Sequence, residues 1–342
     1  MIKNIDKQLY FIAEIGQNHN GSISLAKEMV IAAKECGANA VKFQSFVPKK
    51  LLTALSYNGR IDGFGFENTK TIGEYLEKVK IDEKFHFEIK DYCDRSKIDF
   101  FSTPADIRSV KLLENVNVNC YKIASGDLTN YPVLEEIAKT GKQTILSTGA
   151  SDIDEISDAI KFLNQKGCSN LILLHAVSLY PTEGHKANLN AIRELKDKFN
   201  LPVGFSDHTL GFHVALAAIA VGAVVIEKHF TIDKTLPGAD QNISADVEEL
   251  KKIVQYGNEI HASLNVKVKK ITDAEKDIQK IIRKSIYSSR DLKMGDKLTI
   301  NDLEFKRPDD GISAKEYENI LGKKINKDLP VDSQISLNDL ID

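Results

Sequence analysis

Eight short apolar runs recur along the chain, and longer stretches with the periodicity of amphipathic helices separate them. Strands are predicted at these runs, residues 10–13, 40–42, 99–102, 120–123, 144–147, 171–175, 203–206 and 224–229. Helices are predicted between them, at residues 25–35, 82–96, 107–114, 131–139, 153–165, 189–198 and 214–221. Such alternation is typical of βα units around a parallel sheet. Eight units predict an α/β fold closed into a (β/α)8 TIM barrel.

The length of 342 residues exceeds the roughly 250 residues of a typical barrel. A helix is predicted at 247–262, and a charged stretch follows it. From residue 282 the texture changes, because β-like runs at 285–288 and 298–300 alternate with turn signals. We therefore predict a barrel at 1–265, a linker at 266–281 and a small β-rich domain at 282–342.

Bulk properties exclude several classes of protein. The net charge of −3 gives no basic field for nucleic acid or an anionic membrane. The four cysteines are widely spaced without a C-x-x-C pair, which favours free thiols in a cytoplasmic enzyme. No signal peptide or membrane span is predicted. The glycine-containing stretch at 51–71 predicts a mobile loop over the barrel mouth, as a lid or a disordered segment.

Polar side chains gather where the predicted strands end. In a parallel barrel these ends share one face, where active sites are built. The residues at or just beyond strand ends are Glu14, Lys42, Thr103, Lys122, Ser125, Ser147, Ser178, Ser206, His208 and His229.

Two of these residues, His208 and His229, end the last two predicted strands and should lie close together. Paired imidazoles with oxygen ligands suit a divalent transition metal such as Mn²⁺, Co²⁺, Fe²⁺ or Zn²⁺. Glu227 lies two residues before His229 and shares its face of the strand. The alternative is a pair of hydrogen-bonded core histidines.

Lys42 and Lys122 are candidates for binding an anion at the same mouth. Hydroxyl groups of Ser125, Ser147 and Ser206 add donors, so the ring predicts a phosphorylated or carboxylated substrate. Taken singly, each lysine is a solvated or structural charge. There is no P-loop and no dinucleotide glycine motif.

Two carboxylates each have alternative roles. Glu14 is suited to binding sugar hydroxyls or tuning the metal, or it makes a loop hydrogen bond. Asp127 is suited to moving protons or to capping a helix. A structural role is predicted for His19.

At these residues the sequence resembles the sialic acid synthase family. The resemblance covers nearly the whole chain, with several motifs in a fixed order. They are FIAEIGQNHNG at 11–21, VKFQ at 41–44, FSTP at 101–104, YKIASGD at 121–127, LSTG at 146–149, YPT at 180–182, FSDHT at 205–209, EKHF at 227–230 and KRP at 306–308.

This resemblance implies a barrel followed by an antifreeze-like (SAF) domain. Members of the family condense phosphoenolpyruvate with N-acetylmannosamine or a related diacetamido sugar. The metal, expected to be Mn²⁺ with Mg²⁺ or Co²⁺ as alternatives, would bind to His208 and His229. Phosphoenolpyruvate would contact Lys42, Thr103, Lys122, Ser125, Ser147, Ser178 and Ser206.

The family pattern also implies a sugar site around Glu14, Tyr180 and Asp240. Arg307 would reach from the small domain of one subunit into the barrel of its partner, in a domain-swapped homodimer.

The sequence departs from the family pattern in three places. Asp127 replaces a common Glu, Ser178 replaces a common Asn, and Ala239 and Gln241 differ from the usual Pro and His.

N-acetylneuraminate synthesis is the function predicted first, and three alternatives stay open. The enzyme could use 2,4-diacetamido-2,4,6-trideoxymannose and make N,N'-diacetyllegionaminate. It could be a metal-dependent aldolase, which would release no phosphate. It could also be a non-catalytic sugar-binding protein that uses its final domain.

Overall fold

A computed structural model describes Ile2, Ile5 and residues 8–61, 69–265 and 268–342. The chain divides into two compact units, Met1–Asn265 and Val266–Asp342. No helix among the described residues is long and apolar enough to cross a lipid bilayer.

The first unit is built on one eight-stranded parallel sheet. Its strands are β1 (Tyr10–Gly16), β2 (Ala40–Ser45), β3 (Asp99–Pro104), β4 (Cys120–Ile123), β5 (Gln143–Ser147), β6 (Leu171–Ala176), β7 (Val203–Asp207) and β8 (Val225–His229). The hydrogen-bonded order is β3-β2-β1-β8-β7-β6-β5-β4, and the two end strands lie side by side. The sheet is therefore nearly closed as a barrel, which confirms the predicted fold.

Helices surround this sheet. They are α1 (Ile23–Glu35), α2 (Pro48–Leu51), α3 (Ala54–Tyr57), α4 (Ile72–Val79), α5 (Glu83–Ser96), α6 (Ile107–Asn115), α7 (Tyr131–Lys139), α8 (Ile153–Gln165), α9 (Asn190–Phe199), α10 (His213–Ala220) and α11 (Val247–Leu264). Several begin at an aspartate whose side chain accepts from backbone N–H groups of the first turn, as Asp82, Asp152 and Asp246 do. These caps satisfy donors that a helix cannot pair internally.

The alternation of side chains along each strand separates two apolar layers. Outward residues pack against the helices, whereas inward residues such as Ile12, Phe101 and Ile172 fill the lower part of the barrel. Ile2 belongs to this inner cluster, and its N–H donates to Gln143 Oε1 at 2.6 Å. The barrel thus has a largely apolar floor beneath a charged upper layer.

The segment predicted as a mobile loop over the mouth is partly helical. It includes α3, the end of α2 and an antiparallel bridge between Arg60 and Thr71. Pro48 at the first position of α2 favours this short helix, because proline needs no intrahelical N–H partner there. Gly63 and Gly65, on which the loop prediction also depended, lie outside the described residues.

The second unit contains α12 (Asp273–Ile282) and four short strands, β9 (Ser285–Ser288), β10 (Leu303–Lys306), β11 (Lys324–Ile325) and β12 (Leu340–Ile341). They pair antiparallel, β9 with β10 and β11 with β12. Ile286, Ile325 and Ile335 are in a small separate core. A strand at 285–288 agrees with the sequence pattern, whereas Ile300 begins a 3-10 turn.

Candidate active site

A cavity of about 230 Å³ opens at the carboxyl ends of the barrel strands. Most of the predicted site residues line it, each carried inward by its strand or by the loop that follows. The predicted residues in this lining are Glu14, Lys42, Thr103, Lys122, Ser125, Asp127, Ser147, Tyr180, Ser206, His208 and His229.

Two buried lysines and two buried glutamates form the centre of the cavity. Lys42 Nζ lies 2.5 Å from Glu14 Oε2, and it donates to Thr103 Oγ1 at 3.1 Å. Lys122 Nζ lies 3.4 Å from Glu227 Oε1. Glu227 Oε2 is 3.8 Å from Lys42 Nζ, so the four charges form one connected cluster.

Burial and pairing act differently on these four groups. Burial raises the pKa of Glu14 to about 7, although the nearby Lys42 opposes this shift. Burial also acts to raise the pKa of Glu227, but Lys122 and Lys42 outweigh it and lower that pKa to about 2. Burial lowers the pKa of Lys122, whereas Glu14 and Glu227 more than offset burial at Lys42 and raise its pKa.

His208 and His229 lie side by side, with ring centroids 5.8 Å apart. His208 Nδ1–H donates to the carbonyl oxygen of Val177 at 2.9 Å, which leaves Nε2 as the acceptor nitrogen. Burial lowers the pKa of His208 to about 4, and that of His229 to about 3. Both imidazoles are therefore neutral at physiological pH.

A fully buried ion pair lies behind the two histidines, on the outer face of the same strands. Lys228 Nζ donates to Asp207 Oδ2 at 2.7 Å and to the carbonyl oxygen of Thr209 at 2.6 Å. Asp207 Oδ1 accepts from the Thr209 N–H at 2.9 Å. This network ties the backbone on both sides of His208 to the residue that precedes His229.

Serine hydroxyls meet beside Gly149, at the end of β5. The Gly149 N–H donates to Ser125 Oγ at 3.0 Å. A Cβ at this glycine would lie 2.8 Å from Ser125 Oγ and 2.5 Å from Ser178 Oγ. Only glycine leaves room for both hydroxyls. Ser206 Oγ donates to Glu227 Oε1 at 2.9 Å, deeper in the barrel.

Three predicted residues do not line the central cavity. Ser178 lines a neighbouring groove, although its hydroxyl approaches Gly149 as described above. Asp240 Oδ2 lies 3.7 Å from His229 Nδ1, and burial raises the Asp240 pKa. Arg307 belongs to the second unit, directly after β10.

The sequence left Asp127 with alternative roles and predicted a structural role for His19. Asp127 lines the cavity and accepts from Asn130 Nδ2 at 3.0 Å, and burial raises its pKa. It does not cap α7, whose N-cap is Asn130. His19 is fully buried outside the cavity lining, where its Nδ1 accepts from the Gly21 N–H at 3.0 Å and its ring packs near Phe85.

Sequence reasoning gave no role in the site to several lining residues, among them Glu227, Gln44 and Gln17. The alternation of side chains along β8 did align Glu227 with His229. It could not show that Glu227 pairs with Lys122, because that contact crosses the barrel. Gln44 lies two residues after Lys42 on β2, so the same period-two rule would have identified it.

The implied divalent metal can be tested against the donors present. Within residues 8–61, 69–265 and 268–342, no group of three or more His, Cys, Asp or Glu side chains is arranged as a metal site. His229 Nδ1 is nevertheless buried, with no hydrogen-bond partner in these same ranges. The His208 ring is oriented through its other nitrogen, as in many metal sites. Two neutral imidazoles therefore fit a cation that takes its remaining ligands from oxygen.

Comparisons with known proteins show which families the chain resembles. Residues 29–269 match the NeuB family model, and residues 283–341 match the SAF domain model. The chain is 39% identical to the N,N'-diacetyllegionaminic acid synthase of Campylobacter jejuni, over 96% of this chain and 99% of the relative. It is 33% identical to the pseudaminic acid synthase of the same species, over 95% of each chain.

A solved structure shows the same likeness. It is the N-acetylneuraminic acid synthetase of Leptospira borgpetersenii in complex with citrate. The identity is 34% and the TM-score 0.72, over 81% of this chain and 94% of that one.

Proposed function

Since the chain belongs to the NeuB family of nonulosonic acid synthases, we propose that it condenses phosphoenolpyruvate with N-acetylmannosamine to give N-acetylneuraminate and phosphate. The main support is that two buried ammonium groups and two neutral imidazoles converge on one cavity. The alternative sugar is 2,4-diacetamido-2,4,6-trideoxymannose, and the product would then be N,N'-diacetyllegionaminate.

Lys42 and Lys122 are the proposed partners of the phosphate and carboxylate of phosphoenolpyruvate. Each is already held by a carboxylate, so little reorganisation is needed when the anion binds. Hydroxyl groups at the same strand ends complete the proposed anion site, those of Thr103, Ser125, Ser147, Ser178 and Ser206.

His208 and His229 are the proposed metal ligands, with Mn²⁺ expected first. A divalent cation there would act as a Lewis acid towards the aldehyde oxygen of the open-chain sugar. Tyr180 and Asp240 are the proposed neighbours of the sugar. The ring centroids of Tyr180 and His208 are 4.2 Å apart, which supports a sugar site beside the proposed metal ligands.

In the proposed reaction, C3 of phosphoenolpyruvate attacks the aldehyde carbon, water adds at C2, and phosphate leaves by C–O cleavage. Glu14 is a candidate for proton transfer, because it lines the cavity and burial raises its pKa. Asp127 is the second candidate for proton transfer, since it lines the same cavity and burial raises its pKa.

Phosphate release tests the function directly. The purified enzyme is assayed with phosphoenolpyruvate, Mn²⁺ and each of the two sugars in turn, and the product is identified by mass spectrometry. We expect sugar-dependent phosphate release that the His208→Ala/His229→Ala variant loses, together with Mn²⁺ binding measured by calorimetry. His185→Ala is the matched control, because His185 is exposed and outside the cavity.

Two outcomes would count against this proposal. Carbon–carbon bond formation from pyruvate without phosphate release would support an aldolase instead. Full activity and unchanged Mn²⁺ binding in the double histidine variant would remove the metal assignment while leaving the reaction open.

We further propose a domain-swapped homodimer in which Arg307 serves the barrel of the partner subunit. Mixing inactive Arg307→Ala and His208→Ala chains tests this idea. A swapped dimer would regain activity after subunit exchange, because one of its two sites would combine an intact barrel with an intact Arg307. A protein in which each chain completes its own site would regain no activity. A cytoplasmic location is part of the proposal, supported by four buried free cysteines.

A further inference from the structure

A chain of side-chain hydrogen bonds runs from the centre of the cavity to its rim. It begins at the ion pair between Lys42 Nζ and Glu14 Oε2. Gln44 Nε2 donates to the other oxygen of this carboxylate, Oε1, at 3.1 Å. Gln17 Nε2 then donates to Gln44 Oε1 at 2.9 Å. One ammonium group is thereby connected, through the side chains of Glu14 and Gln44, to Gln17 beyond the end of β1.

The direction of this chain is fixed by chemistry. An ionised carboxylate only accepts hydrogen bonds, so Gln44 must present its amide NH₂ to Glu14. Its oxygen then faces Gln17, which must in turn present its own NH₂. The oxygen of Gln17 is left as the free end of the chain.

Backbone geometry holds Gln17 in this position. Gly16 ends β1 with a φ of 55°, a left-handed conformation that favours glycine. A Cβ at Gly16 would lie 3.0 Å from Glu14 Oε1 and 3.3 Å from Gln44 Nε2, at the hydrogen bond between them. The turn at Gly16 therefore brings Gln17 over Gln44 without disturbing the chain.

The free end is an unsatisfied acceptor. Gln17 lines the cavity, and its Oε1 is buried with no hydrogen-bond partner among the residues that the structure describes. A buried polar atom without a partner is costly, so such an atom inside a cavity indicates a ligand group that completes it.

Building on the proposed function, we propose that Gln17 is a specificity-determining residue whose amide oxygen accepts from an O–H or N–H group of the amino-sugar. The other substrate cannot meet this requirement. Phosphoenolpyruvate presents carboxylate and phosphate oxygens, which are acceptors at the pH of the assay. The amino-sugar carries hydroxyl groups and at least one acetamido N–H, so it alone supplies donors.

Position along the barrel indicates which part of the sugar is recognised. Glu14 is paired in register with His229, the proposed metal ligand. Gln17 follows the end of the strand and is nearer to solvent than Glu14. If the aldehyde lies at the histidines, Gln17 contacts a donor farther along the sugar.

Replacing the amide with a thioether tests the residue itself. Gln17→Met keeps the length of the side chain and removes the acceptor. Assays run above the Glu14 pKa of about 7, so that the carboxylate stays ionised. We expect the KM for the sugar to rise about three- to tenfold, the loss of one neutral hydrogen bond, with the KM for phosphoenolpyruvate unchanged.

Gln255→Met is the matched control, because Gln255 is an exposed residue of α11 that donates to Glu259. It should match the wild type in both constants. Gln44→Met should also raise the KM for the sugar, since Gln17 then loses the hydrogen bond that holds its amide in place. An equal rise in both KM values for Gln17→Met, or no rise in either, would overturn the proposal.

Sugar analogues lacking one donor at a time identify the group that Gln17 binds. The probes are the sugar that the wild type accepts and its monodeoxy analogues. For one analogue, the wild-type KM should rise by about the factor by which Gln17→Met raises the KM for the intact sugar. The KM of the variant should not rise further with that analogue. Equal losses in both enzymes for every analogue would refute the inference. Absence of wild-type activity with either sugar would instead refute the proposed function.

Discussion

The polar side chains on the two faces of β8 differ in whether their hydrogen-bonding groups have partners. On the outer face, Lys228 and Asp207 satisfy each other and the backbone of Thr209. On the inner face, Glu227 Oε2 and His229 Nδ1 are buried, and no hydrogen-bond partner for either lies in the described part of the chain. Buried polar groups in folded proteins are normally satisfied. The outer pair therefore serves the folded structure, whereas the inner groups keep unused bonding capacity beside the cavity.

The largest expected effect comes from breaking the outer pair. Lys228→Met leaves the Asp207 carboxylate buried and unpaired, which we expect to cost about 3–5 kcal/mol of folding free energy. Urea unfolding followed by circular dichroism measures this loss. Adding Asp207→Leu should recover much of it, because no charge then stays buried.

Lys161→Met is the control for this experiment. Lys161 pairs with Asp158 at 3.3 Å on the surface, and both side chains are more than 60% exposed. Its loss should cost well under about 1 kcal/mol. A Lys228→Met protein as stable as this control would show that the outer pair does not hold the fold.

The next largest effect comes from the inner face. Lys122→Met removes a preorganised cation, and we expect kcat/KM for phosphate release to fall by about 10²–10³-fold. Stability should fall less than in Lys228→Met, because Lys42 still faces Glu227 at 3.8 Å. Steady-state kinetics and urea unfolding of the two variants give the comparison. Retained activity with a large loss of stability would reverse the roles assigned to the two faces.

The smallest expected effect concerns His19, a buried histidine that the fold holds neutral. Burial lowers the pKa of His19 to about 4. Because the unfolded state binds a proton near pH 6.5, stability is complete above that pH and is lost as the pH falls towards 4. The loss amounts to at most about 1.4 kcal/mol for each pH unit.

His19→Asn isolates this contribution, since asparagine keeps an acceptor for the Gly21 N–H and does not titrate. The wild type should lose more stability than the variant between neutral pH and about pH 4.5. Urea unfolding at the two pH values measures the difference. A difference that stays constant with pH would show that His19 does not titrate in this window.

The barrel could be predicted from sequence because its signals are local. Each strand shows as an apolar run, and helices such as α8 begin at a capping aspartate. The short helices α2 and α3 were missed, since neither is long enough to show a helical period. The region was predicted as a loop for that reason.

The sequence predicts which residues line the candidate site, but not which of them contact each other. Period-two alternation identifies which residues face inward, and in a parallel barrel their strand ends share a mouth. It does not show which charges meet across the barrel, as Lys122 and Glu227 do. Nor does it show the turn at Gly16 that brings Gln17 over Gln44, since both depend on the closed sheet.

The apolar floor of the barrel makes the cavity a cup with a single opening. Molecules must therefore enter and leave through the same mouth, where Gln17 and Tyr180 form part of the lining. A ligand that binds at the two lysines would have to enter before one that fills the space above it. The order of substrate entry would then follow from the depth of each position in the cavity.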